Sequence, residues 1–253
     1  SDPLTEELIH DRISFRKFLD IKEDDTIPDE TTICKFRNAL IKNNLLESIF
    51  LEVKNSMIKN NLILNEGTLV DATLIHSSEP KRKKDENGKT ISNKANDEDA
   101  SYTSKRGRKH HGYKIHIATD TNSIIKEVIT TTAKTHDSTQ FDELIKDETK
   151  AVFADSGYMS QERKRTLRSK GIFNGITERR VRGQSKLRTK QSKNNTKFSK
   201  VRALVELPFA FIKKLMKYTE TKYLGLHKNS QHVFLIAAAY NLRRMPNLIQ
   251  RCE

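Results

Sequence analysis

Cysteine is nearly missing from this chain. The two present, Cys34 and Cys252, stand at opposite ends without metal-site spacing. A disulfide framework and a zinc knuckle are therefore excluded, and the usage fits a reducing cytoplasm. Long apolar runs are also missing. The longest, 233–240, falls far short of the roughly 20 residues that cross a bilayer, and no signal-peptide pattern is present. Histidine ligand sets are wanting too: His116 and His136 have no third partner at a matching spacing, so both are read as structural. Acid is the minority charge, with 33 Asp and Glu against 47 Lys and Arg, a net charge of +14 and a pI of about 9.7. Some of those lysines are simply solvated. The excess still points to a polyanionic partner, most simply nucleic acid, with anionic membrane the weaker option. The 253 residues suffice for one large domain, or one domain plus a small helical one.

Residues 1–65 read as helical. Phe15, Phe18 and Leu19 share a face. Pro28-Asp29 then offers a helix start with Asp29 as N-cap, followed by Ile33, Phe36, Leu40 and Ile41 at helical spacing. Lys42-Asn43-Asn44 breaks the pattern, and Leu45, Ile49, Val53 and Met57 form another stripe. This pair of helices is either a DNA-reading helix-turn-helix or a plain hairpin. The second is favoured because the second helix has few basic residues.

The central region holds two acids in apolar settings. Gly67-Thr-Leu-Val-Asp-Ala-Thr-Leu-Ile75 is a strand-like run in which Asp71 is costly unless paired or bound to a cation. Ala151–Ala154 reads as a short buried strand that ends on Asp155, with a turn and a basic helix over 160–169 behind it. A lone Asp-Ser-Gly would be an ordinary turn, but a carboxylate at a strand end can also face the crevice where α/β folds bind ligands. Between these lie a polar insertion at about 79–110, expected to be a loop or disordered for want of apolar surface, and a hairpin of two strands, 113–119 and 124–132. Asp120 is its turn residue, and Asp137 the N-cap of a short helix in capping-box spacing with Gln140. A strand at 171–177 precedes a second insertion, 179–200, so rich in cations, Arg179, Arg180 and Arg182 among them, that it reads as an exposed arm able to contact nucleic acid.

A third acid lies in a helix at 201–218, with Pro208 set to kink it near Glu206. Glu206 follows Arg202 by one turn, so a local ion pair would explain it. A final helix, 232–244, closes the core. The sequence of elements implies an α/β fold: a ribonuclease-H-like mixed sheet with flanking helices, after a small helical N-terminal region. In that layout the Asp71 and Asp155 strands are neighbours, and the helix brings up Glu206. Three carboxylates in one crevice call for cations, and oxygen-only ligands suit Mg²⁺ or Mn²⁺. Two such ions can activate an attacking oxygen and stabilise a leaving one at a phosphodiester.

The motifs resemble the DDE transposases of bacterial insertion sequences, in the insertion sequence five family. The resemblance is carried by Asp2-Pro3, Asp11-Arg-Ile-Ser-Phe15, Pro28-Asp-Glu-Thr-Thr32, Gly67-Thr-Leu-Val-Asp-Ala-Thr73 and Gly112-Tyr-Lys-Ile-His116. It continues through Thr135-His-Asp-Ser138, Lys150-Ala-Val-Phe-Ala-Asp155, Arg202-Ala-Leu-Val-Glu206 and Asn241-Leu-Arg-Arg244, in order and over nearly the whole chain. It implies a catalytic and metal-binding triad of Asp71, Asp155 and Glu206. The family pattern around the glutamate places Arg202 and Lys213 as DNA contacts, while its tyrosine position holds Ser199.

The activity this resemblance implies is that of a Mg²⁺-dependent transposase, with Mn²⁺ able to substitute. It would cleave phosphodiesters at element ends and join the 3′-OH to target DNA, as a dimer or higher assembly on DNA in the bacterial cytoplasm, on the nucleoid and not on a membrane. A ribonuclease-H-like nuclease without strand transfer and an inactive DNA-binding remnant are the alternatives. The expected organisation is a helical region at 1–65, shorter at its start than the helical sequence usual in the family, and a catalytic domain at 66–247 with polar insertions at about 79–110 and 179–200.

Overall fold

The computed structural model describes residues 1–79, 82–84, 90–92, 97–105, 107–145, 149–180 and 183–250. They form two compact units, Ser1–Ser48 and Ile49–Glu253.

The first unit holds α1 (Asp2–Asp11), α2 (Ile13–Phe18) and α3 (Glu30–Lys42). Asp29 caps α3 as expected, its carboxylate accepting the Thr32 amide at 2.6 Å. Arg37 reaches from α3 to α1 and grips Asp2 with both Nη atoms, at 2.5 and 2.7 Å. α4 (Leu45–Lys59) begins here and continues into the second unit. Its buried positions are Leu46, Phe50 and Met57, whereas Leu45 and Ile49 are exposed. The stripe that spacing predicts thus starts one residue early, because Leu45 and Leu46 are equally apolar and spacing alone does not choose between them.

The second unit is built on a six-stranded sheet. Its strands are β1 (Thr68–His76), β4 (Ser101–Lys105), β5 (Arg108–Thr119), β6 (Ile125–Thr132), β7 (Ala151–Ala154) and β8 (Phe173–Asn174); β2 (Arg82–Lys84) and β3 (Thr90–Ser92) pair separately. Across the sheet the order is β6-β5-β1-β7-β8, with β4 along the first half of β5. β1 runs antiparallel to β5 and parallel to β7, and β7 parallel to β8. This is the ribonuclease-H-like arrangement that the element order implied. β8 is shorter than the expected 171–177 strand, yet the Gly175 and Thr177 amides still donate to Val152 and Ala154 of β7.

Alternation along the strands feeds two cores. Leu69 and Ile75 of β1 pack with Ile117, Val205, Phe209 and Ile236 on one face, beneath α8 (Glu206–Ala210) and α9 (Leu226–Ile249). Val70 packs with Ala118, Val152, Ala154 and Tyr158 on the other, against α5 (Phe141–Leu144) and α6 (Gln161–Ser169). α9 is longer at both ends than the expected 232–244 helix. None of the described helices is long and apolar enough to cross a membrane.

Two glycines permit close strand approach. Gly112 has φ +148°, and a Cβ there would lie 2.1 Å from the Ile75 carbonyl oxygen. A Cβ on Gly175 would lie 2.3 Å from the Phe153 ring. Neither position has room for a side chain.

Both polar insertions are more ordered than their composition suggests. In the first, parts of which lie outside the described residues, β4 pairs with β5 from Ser101–Gly112 to Lys105–Arg108. Asp97, 1% exposed, anchors it: its carboxylate accepts the Tyr113 hydroxyl at 2.6 Å, the Ser77 hydroxyl at 3.3 Å and the Gly225 amide at 3.1 Å. Buried hydrogen bonds supply what apolar area could not. In the second insertion, α7 (Thr189–Arg202) replaces most of the expected arm. Phe198 is its apolar anchor, with its ring edge-on to Phe153 and Phe173 at 6.0 and 5.7 Å. Asn195 exchanges two 2.9 Å bonds with the Glu178 backbone.

The expected single helix at 201–218 is broken into α7, a 3-10 turn (Ala203–Val205), α8 and a π-helical turn (Phe211–Leu215). Pro208, which has no amide to donate, sits within α8.

Candidate functional site

β1 and β7 place the first two acids. Their register pairs Val70 with Ala154, so Asp71 and Asp155 leave the two strands side by side. Alternation puts Asp71 on the face of Leu69 and Asp155 on that of Phe153, the face that carries α7 and α8. Asp155 also closes β7, accepting the Gly157 amide at 2.7 Å. Asp71 accepts the Ala72 amide at 2.8 Å.

The third acid arrives from above that face. α7 ends at Arg202, a 3-10 turn tightens the helix, and Glu206 opens α8, exposed to solvent. Burial pushes the Asp71 carboxyl up to about 6; the Asp155 and Glu206 charges push the same way, against the Ala72 amide and the Arg202 guanidinium. Arg202 therefore acts on Asp71 across the fold. No ion pair joins it to Glu206 among the described residues, which removes the local explanation for that glutamate.

Cations and a phenol complete the surroundings. Lys213, half-buried in the π-helical turn, is held below the ordinary lysine range by desolvation and by Lys105, with Glu206 opposing. A pocket of about 150 Å³ along β1 is lined by Ala72, Thr73, Thr103, Lys105, Lys114 and Asp137. Tyr158 is buried with its hydroxyl unpartnered; burial raises its pKa, as do the charges of Asp137, Asp71 and Asp155.

Three of these residues carry no assignment from the sequence. Lys105 comes from a stretch with no motif of its own, and Lys114 and Tyr158 sit within marked stretches without a role attached. Asp137 does not cap as expected. His136 is the cap, its ring nitrogen accepting from Ser138, and Asp137 instead lies 2.8 Å from Lys114 Nζ. A strand lysine outcompetes a local backbone amide for the carboxylate.

The arm residues divide. Arg179 donates to Ser156 Oγ at 2.8 Å, next to Asp155, whereas Arg180 turns back to the Ser185 carbonyl at 3.0 Å. Arg182 lies outside the described residues. Glu178, the other acid after Asp155, accepts from Gln191 Nε2 at 2.6 Å and lies 3.6 Å from Lys164.

His116 is fully buried, hydrogen-bonded to Thr131 Oγ1 at 2.8 Å, with its pKa lowered to about 4 by burial and by Lys114, against Asp137. A lowered histidine is neutral in the fold and takes its proton only on unfolding. Stability from this group is therefore complete above about pH 6.5 and is lost as pH falls toward 4. Asp71, raised, works in the opposite sense between about 4 and 6. The comparison that isolates the histidine is parent against His116→Gln. Urea titrations at pH 5 and pH 7 should show the parent losing more stability on acidification than the variant, by up to about 1.4 kcal/mol per pH unit.

Among the described residues no three His, Cys, Asp or Glu side chains close around one ion. The site does fit a cation that takes one or two carboxylates and completes its shell with water and phosphate oxygens, the usual habit of Mg²⁺. Asp71 and Asp155 supply adjoining hard oxygens, and burial, with the smaller effects of the Asp155 and Glu206 charges, raises the Asp71 carboxyl.

No solved structure matches the chain. A family model described as Transposase DDE domain matches residues 64–242, from just before β1 into α9, and one described as Transposase domain (DUF772) matches residues 1–39. With more than two-thirds of its length matched by the first model, the chain belongs to the DDE transposase family.

Proposed function

We propose that this transposase cleaves phosphodiesters at the ends of its element and joins the freed 3′-OH to target DNA, with Asp71, Asp155 and Glu206 as the catalytic acids. One observation carries the reading: two neighbouring strands deliver Asp71 and Asp155 to the face where Glu206 enters, in a chain of the DDE family. Bound Mg²⁺, or Mn²⁺ in its place, would supply Lewis-acid activation of the attacking and leaving oxygens. Asp71 and Asp155 would hold it, and Glu206 would complete the outer side of the site.

The protein's own groups do the rest. Arg202 keeps Asp71 ionised and reaches the strand phosphate, while Lys213 neutralises the phosphate on the α8 side. Arg179, tethered to Ser156, sets a guanidinium beside Asp155 where the backbone of the cut strand passes. Asp71 and Asp155 are only partly exposed, which strengthens each charge interaction at the phosphate relative to bulk water. The element would be of the insertion sequence five type, and the working form a dimer or larger assembly on nucleoid DNA.

The test uses a duplex carrying inverted element ends and a supercoiled target. Cleavage should require Mg²⁺ or Mn²⁺ and stop in EDTA, followed by joined products. Nicking without joining would identify a hydrolytic nuclease instead. Undiminished cutting in EDTA would exclude the carboxylate site.

A further inference from the structure

Four lysines of α7 lie on one side of the helix. Lys190, Lys193, Lys197 and Lys200 follow each other at steps of three and four residues, which stacks them on one helical face. All four are exposed, and the 14-residue helix contains no acid. None of the four is in an ion pair among the described residues. An ordinary solvated helix carries both signs, interspersed, because one-signed faces repel themselves. The opposite face is fixed: Phe198 sits against Phe153 and Phe173, Gln191 on Glu178, and Asn195 on the Glu178 backbone. Lys190, Lys193 and Lys197 share an open surface with Thr189, Asn194 and Thr196. Their polar tips are ammonium and hydroxyl or amide groups, the set that meets phosphate oxygens.

We infer that the lysine face of α7 is a rail for duplex DNA, holding the backbone of the flank that leads to the cleaved phosphodiester. This rests on the reading of the carboxylates as the cleavage site. The direction comes from the chain: α7 runs into Arg202 and then, through one 3-10 turn, into Glu206. From Lys190 to Lys200 the helix rises about 15 Å, the rise of roughly four base pairs. The rail therefore contacts a backbone segment of about that length, beside the site and not within it. It reads no sequence, because lysines on phosphates fix register alone.

The experiment is an equilibrium titration of the full chain with a labelled duplex of arbitrary sequence, about 30 bp long, in EDTA between about 50 and 200 mM salt. Changing all four lysines to Gln keeps helix propensity, and circular dichroism checks the fold. At about 0.9 per phosphate, the slope of log K against log salt should shrink by about 3 to 4. Over that salt range the parent should then lose on the order of 100-fold more affinity than the Gln variant. The four-Arg variant should restore the parental slope. A folded Gln variant with an unchanged slope overturns the rail. Because EDTA suppresses cleavage, this outcome is independent of the catalytic assignment: parental DNA binding with no Mg²⁺-dependent cutting would remove that assignment and leave the rail as a DNA-binding surface.

Discussion

Asp155→Asn should yield a folded protein that binds duplex DNA at least as tightly as the parent and cuts it at least about a hundred-fold more slowly. The fold survives because the Asn side-chain oxygen can still accept the Gly157 amide that Asp155 accepts at 2.7 Å. Binding survives because the change removes a negative charge near phosphate. Cutting should not, because one of the two oxygen ligands proposed for the metal is lost. Loss of a mere supporting contact at a metal site typically costs about 10- to 100-fold, so loss of a ligand costs at least the upper end. Gel mobility shift and nicking assays read the two effects separately. Full cutting by the variant would place the chemistry elsewhere, and a collapsed melting profile would make Asp155 a structural cap.

The second large effect separates two glutamates. Glu206→Gln should leave the thermal melt unchanged, since Glu206 is exposed, and lower cleavage by two orders of magnitude or more, with partial recovery in Mn²⁺. Glu178→Gln should cut within several-fold of the parent. Glu178 is engaged elsewhere: it receives Gln191 at 2.6 Å and neighbours Lys164 at 3.6 Å, and its backbone holds Asn195. Its variant should loosen α7 and reduce DNA affinity more than turnover. The reverse pattern, a dead Glu178→Gln and an active Glu206→Gln, would reassign the third acid.

Much of this arrangement is legible in the amino-acid order alone. Strand alternation around Asp71, the short apolar run before Asp155 and the Asp29 cap are local patterns, and local patterns survive folding. The illegible part comes from pairings far apart in sequence. Asp97 orders its polar segment through Tyr113 and Gly225, and no window of composition contains all three. α7 reads as an arm because its docking face is one phenylalanine and two amides. Arg202 illustrates the same limit at the site. Its nearest acid along the helix is Glu206, one turn away, yet the fold turns its charge on Asp71.

Gly112 and Gly175 bear on how such a protein would appear to a geneticist. Neither has a functional group, and each lies where one added carbon would strike a strand carbonyl or an aromatic ring. A random library scored only for loss of transposition would return these glycines beside the carboxylates, and a map of dead clones would blur the crevice into its scaffold. Recessive and dominant-negative classes would separate them. On the proposed assignment, a clone altered at Asp155 should still fold and occupy DNA, and so should poison the wild-type protein in the same cell. A clone altered at either glycine loses its strand packing and leaves the wild type undisturbed.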